Sequence, residues 1–226
     1  MVLDVIRKEA EHYKRFLLTA NYDEMYKWEA LKNFQDNWNI DANDLREMYD
    51  SSFKTKTTGN LWANPHWFPK AVMLRFIEYD KDSTRQMFSD LYNEDEGIDK
   101  RIERFVFHCD RLREEIYAFD KSMKNHFHDG QRIVSLYLAF RFPEKYAIYK
   151  FTEFKTFMEI VRAREIPSTG EYERFFKVVR TLYNILIKDT ELMRLHKSLL
   201  TEDHYKGETL MLAQDFIFIT ARRYMK

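Results

Sequence analysis

The chain has 226 residues, a length that fits one large domain or two intimately packed halves meeting near 120–130. Its 37 basic and 37 acidic residues cancel, which excludes the net positive charge that indiscriminate nucleic-acid binding draws on and leaves only a local basic face for that role. Five Gly and four Pro are too few for the turns of a β sandwich or barrel, while 45% hydrophobic content can fill a substantial core; the prediction is a mainly α, multi-helix globular bundle with at most a minor short β element.

Ile6, Ala10, Tyr13 and Leu17 recur at helical spacing and predict a first helix. Met25, Trp28, Leu31, Phe34 and Trp38 predict a second, and their spacing assigns both tryptophans to the core. After a break at 39–43, Leu45, Met48 and Tyr49 make a short third helix. The stretch KTKTTGNLWANPHWFP, from Lys54 to Pro69, reads as the main loop of the N-terminal half. Helices resume at Val72, Phe76 and Tyr79, and Ser83 with Gln86 has the spacing of a capping box ahead of Met87, Phe88 and Leu91.

The clearest periodicity runs from about Ile98 to Phe119, where Ile98, Ile102, Phe105, Cys109, Leu112 and Ile116 form one apolar stripe. Asp129 or His128 is placed to cap the next helix, whose body from Ile133 to Phe142 is apolar on nearly every side and belongs in the middle of a core. Pro143 stops it, and YAIYKF is strand-like but short and solitary. Further helices are predicted at about 152–163, at 171–187 after a Ser168–Glu171 capping box, at 190–199 and at 208–222. No repeat or linker divides the chain.

Cys109 is the only cysteine, so an intrachain disulfide and a cysteine-built zinc site are excluded, and its place in the stripe predicts a buried structural thiol. The opening MVLDVIRKEAEHYK spreads charge where a signal peptide carries an apolar block, and apolar runs such as 133–140 are too short to span a bilayer; the cytoplasm is the expected location, with no membrane partner. Neither GxxxxGK[ST] nor GxGxxG occurs, which excludes phosphate-cradling loops of those kinds. No catalytic residue and no cofactor are predicted.

Four clusters compete for a site. His126, His128 and Asp129, with His108 nearby, carry donors that suit zinc or iron, against a structural reading in which Asp129 caps a helix and the histidines line its entry. Asp129 with Glu153-Phe154-Lys155 matches the letters of a restriction-type nuclease core, but that core needs the ExK on a strand and here it opens a predicted helix. Arg174, Lys177 and Arg180 share a side of one helix at three-residue spacing and can address successive phosphates. Trp62, His66 and Trp67 lie in a loop flanked by Lys54, Lys56 and Lys70, an arrangement that can stack a base; two tryptophans folded inward are the plainer reading.

Several longer phrases, among them YKWEALKNFQDNWNIDANDLREMYDSSF, NLWANPHWFP, FVFHCDRL, HFHDGQRIVSLYLAFRFPEKYAIYKFTEF, FFKVVRTLYNIL and LLTEDHYKGETL, resemble the region that precedes the motor in McrB-like AAA-family NTPases, relatives of 5-methylcytosine-specific restriction enzymes. The similarity runs from about Tyr26 to Phe216. It implies a non-catalytic N-terminal recognition or regulatory domain that binds DNA, often modified DNA. A downstream AAA-type motor in the same polypeptide would hydrolyse nucleotide, and a separate nuclease subunit would cut. The chain ends at Tyr224-Met225-Lys226 without a phosphate-binding loop, so the motor is expected beyond it. The alternative is a protein-interaction module that docks the motor to the nuclease or to a second copy; a metal-dependent enzyme comes third.

Overall fold

The computed structural model describes residues 1–19, 22–62, 66–129 and 132–225. Among them run eleven α-helices: α1 (Leu3–Leu17), α2 (Tyr26–Asn37), α3 (Leu45–Ser52), α4 (Pro69–Tyr79), α5 (Lys81–Tyr92), α6 (Ile98–Phe119), α7 (Arg132–Arg141), α8 (Phe151–Ile160), α9 (Tyr172–Leu186), α10 (Thr190–Leu199) and α11 (Met211–Tyr224). A 3-10 turn at Thr58–Trp62 lies in the loop between α3 and α4, and the described residues contain no strand. The fold is mainly α, as composition predicts.

Aspartates start three of these helices. Asp44, Asp80 and Asp189 each accept a hydrogen bond from the backbone N–H three residues on, at 2.9, 2.9 and 3.0 Å. The carboxylate satisfies an orphan donor and sits at the positive end of the helix dipole. Asp80 therefore displaces the expected Ser83–Gln86 box by one turn: Ser83 lies inside α5 as the residue whose N–H is capped, and Gln86 turns to Asp90 at 2.8 Å. The second expected box is half formed, with the Glu171 carboxylate accepting from the Ser168 N–H at 2.6 Å one residue ahead of α9. The capping position of α7 lies outside the described residues.

The periodic stripes are the buried ones. Ile102, Phe105, Cys109, Leu112 and Ile116 of α6 are all buried, and burial pushes the Cys109 thiol well above its ordinary pKa, as befits a structural cysteine. Every residue from Ile133 to Phe140 in α7 is buried, with α2 and α5 packed against it. α11 is buried from Met211 to Ala221 and lies on α8 and α9. Aromatic rings fill the space between helices: Trp38 stacks on Phe34 at 4.7 Å and meets Phe88 edge-on at 5.1 Å.

The first helix does not belong to the first half. α1 packs on α10 and α11, and the Val2 N–H donates to the Val161 carbonyl at 2.8 Å. One apolar cluster runs through the whole set of helices. The strand-like stretch after Pro143 forms no ladder; Ala147, Ile148 and Tyr149 are buried beside α7, where the Ser135 hydroxyl accepts from the Tyr149 N–H at 2.8 Å. A side chain here satisfies the donor that a neighbouring strand would have taken. No helix among the described residues is long and apolar enough to cross a membrane.

Candidate nucleic-acid interface

The loop between α3 and α4 carries Trp62 at its 3-10 turn and Trp67 just before Pro69, with residues 63–65 outside the described set. The two indoles lie 6.2 Å apart, both half-buried. Trp62 folds inward, its ring edge-on to Phe53 at 5.7 Å. Trp67 stands between the exposed His66 and the 54%-exposed Phe68 and packs against the core as Trp62 does.

A residue that local sequence did not single out completes this loop. Arg132, the first residue of α7, lays its guanidinium over the Trp67 ring at 4.8 Å and donates to the Leu61 carbonyl at 2.8 Å. Its Nε is buried without a hydrogen-bond partner, and burial lowers its pKa. An arginine stacked on an indole is a sequence-tolerant platform for a nucleobase, because every base presents a π face. The flanking lysines divide. Lys70 pairs with Asp50 at 2.8 Å and donates to the carbonyls of Asp50 and Phe53, each at 3.1 Å, which commits it to the end of α3. Lys54 and Lys56 are exposed, in a shallow groove shared with Glu29, Asp36 and Asp203.

The basic row on α9 is less available than its spacing suggests. Arg174 pairs with Glu171 at 2.8 Å and donates to the Glu165 carbonyl at 2.5 Å. Arg180 donates to the Lys145 carbonyl at 3.1 Å. Lys177 is exposed, and with Arg180 it lines a groove of about 700 Å³ whose walls also carry Asp99 and Glu173. Lys100 and Arg101 line it as well, so four cations face these two carboxylates and the groove keeps a basic balance.

The histidine cluster has a different membership from the one expected. Asp129 is exposed, and the third group beside His126 and His128 is Cys109, the three ligand-type atoms lying within 4.8 Å of one another. The lone pairs, however, are taken. His128 Nδ1 donates to the His126 carbonyl, so its Nε2 accepts from the Tyr137 hydroxyl at 3.0 Å, and Tyr137 in turn accepts from Tyr49 at 2.7 Å. His126 Nδ1 accepts from the His128 N–H at 2.9 Å, leaving its Nε2 to donate to Asp110 at 3.2 Å. Each imidazole is fixed in one tautomer with both nitrogens engaged. A metal would have to break these bonds to find a ligand, so the arrangement reads as a structural network. The nuclease letters meet a similar obstacle: Glu153 and Lys155 lie in α8, with no strand to carry them.

Comparison with family models, with curated proteins and with solved structures finds no match to this chain.

Proposed function

We propose that this chain is a non-catalytic recognition module that binds DNA through the 62–68 loop and Arg132, and that it works as the N-terminal region of a McrB-like restriction NTPase. The observation that carries the binding face is the Trp67–Arg132 stack, set beside exposed His66 and Phe68. Cation and indole together supply what a splayed or flipped base needs: a π surface and a positive charge for the adjacent backbone. Lys177 provides a secondary phosphate contact from α9. The assignment to the McrB-like group rests on the phrase-level resemblance of residues 26–216.

The test is a titration with methylated and unmethylated duplexes, and with single strands, across salt concentrations. Affinity should fall as salt rises, and Trp67→Ala should cost about 1–3 kcal/mol, roughly five- to 150-fold, while the far-ultraviolet spectrum stays helical. Charge reversal at Lys177 should cost less. No binding at low salt would remove the assignment.

A second reading has its own support. Phe107 and Phe119 of α6 are 64% and 68% exposed, and Tyr79 lies 5.8 Å from the Phe119 ring. The exposed Tyr79–Phe119 pair suits a docking face for a second copy or a nuclease subunit. Under this reading the chain sizes as a concentration-dependent dimer that Phe119→Ser returns to monomer; a monomer at all concentrations removes self-association.

A further inference from the structure

Trp28 is fully buried in α2, yet its indole N–H has no hydrogen-bond partner among the described residues. His196, in the last turn of α10, is 6% exposed, and its Nδ1 is likewise buried and unpartnered. The two rings pack together with centroids 5.1 Å apart, and both residues line one cavity of about 80 Å³. A buried polar group without a partner is costly, and native interiors keep few of them. Two such groups beside a single cavity mark a place where a ligand completes the bonds.

The rest of the lining sets the chemistry. Tyr183 of α9 and Tyr205 of the α10–α11 loop supply aromatic walls, and Lys197 and Lys206 stand at exposed positions beside them. Lys206 is paired with Glu202 at 2.9 Å, while Lys197 has no ion pair among the described residues. No carboxylate among the described residues lines the space. The Tyr205 N–H donates to the Trp28 carbonyl at 3.0 Å, which ties the loop to α2. Its ring lies so close to Gly207 that a Cβ there would stand 2.5 Å from the hydroxyl oxygen. Glycine at 207 is what lets the tyrosine form this wall.

We infer that this cavity binds a small organic carboxylate, held by the Trp28 indole N–H and His196 Nδ1 and matched in charge by Lys197. A carboxylate only accepts hydrogen bonds, so it suits a lining that offers donors and cations. One oxygen takes the indole N–H, and the other takes His196 in its Nδ1–H tautomer. A water's share of liquid volume is about 30 Å³, so the space takes about two or three waters or one acetate-sized group. Water would satisfy the two nitrogens and leave Lys197 uncompensated; a carboxylate answers both. The cavity shares no lining residue with the 62–68 loop, and the inference does not rest on the DNA-binding reading.

The test is a titration of the full isotope-labelled chain with sodium acetate near neutral pH, with sodium chloride holding ionic strength constant and acetamide as the neutral twin. The Trp28 indole N–H resonance should move downfield and saturate, with half-saturation at roughly 1–10 mM, in line with a ligand of so few atoms. The indoles of Trp38, Trp62 and Trp67 should stay in place. Acetamide should bind at least about tenfold more weakly, because it carries no charge for Lys197. Lys197→Met, an exposed change that leaves the fold intact, should weaken acetate by about fivefold or more. Gly207→Ala should weaken it as well, by pushing Tyr205 off the wall. An unmoved Trp28 indole would mean that water alone fills the cavity and would overturn the site. Equal binding of acetamide, or acetate binding untouched by Lys197→Met, would overturn it too.

Discussion

Lowering the pH from 7 to 5 is expected to cost this fold several kcal/mol, before most carboxylates begin to protonate. Two buried imidazoles carry the effect. His128 is held neutral by burial, with its pKa lowered to about 3, and His196, its ring tilted against Trp28 at 5.1 Å, is lowered by burial to about 4. In the unfolded chain both titrate near their ordinary value of about 6.5. Above that pH neither state binds the proton and the histidines are silent. Below it the unfolded chain takes up protons that the native state refuses, so stability falls as pH falls, by about 1.4 kcal/mol per histidine per pH unit. The combined loss approaches the whole stability of an ordinary domain. Urea midpoints at pH 7, 6, 5 and 4 measure it. A flat profile between pH 6.5 and 4.5 would mean that these imidazoles are not buried neutral.

The second large effect concerns Asp215, which is fully buried in α11. Its carboxylate accepts from Tyr13 of α1 at 2.7 Å, from Tyr22 at 3.0 Å and from the Lys27 ammonium of α2 at 2.9 Å. One side chain therefore ties both ends of the chain to the second helix. Asp215→Ala is expected to destabilise the protein by about 3–5 kcal/mol, because it leaves Lys27 buried with Glu24 alone. Adding Lys27→Met should restore part of that loss, since removing both partners of a buried pair is far cheaper than removing one. Equilibrium unfolding of the three variants decides it. A cost below about 1 kcal/mol for the single change would show that the network is not stabilising.

Asp215 also marks the boundary of what local sequence could reveal. Periodicity placed α6 at the bounds it has, and placed Cys109 inside its buried stripe. It said nothing of Lys27, which looks like an ordinary solvated lysine between apolar positions, because its partner is 188 residues away. The α5 start was misplaced by one turn because Ser83 and Asp80 both carry capping chemistry, and only the observed helix start shows that the carboxylate does the work. The His126–His128 pair was visible in the sequence, but its company was not. The segment after α6 folds back so that the pair meets Cys109, through a backbone that takes φ to 61° at Phe127.

For the proposed binding face, Trp62, His66 and Trp67 were legible as aromatics amid lysines, whereas Arg132 was not. The basic row of α9 was legible from spacing, but its contacts were not. Arg174 is engaged locally by Glu171 and the Glu165 carbonyl, and Arg180 reaches the distant Lys145 carbonyl.

The two candidate faces can be separated by mapping amide chemical-shift changes as a short methylated duplex is added to the labelled chain at low salt. A recognition module that reads DNA through its indole platform should show changes concentrated at Leu61, Trp62, His66 to Phe68 and Arg132. Changes confined to Arg174–Arg180, or a spectrum that does not respond at all, would contradict it.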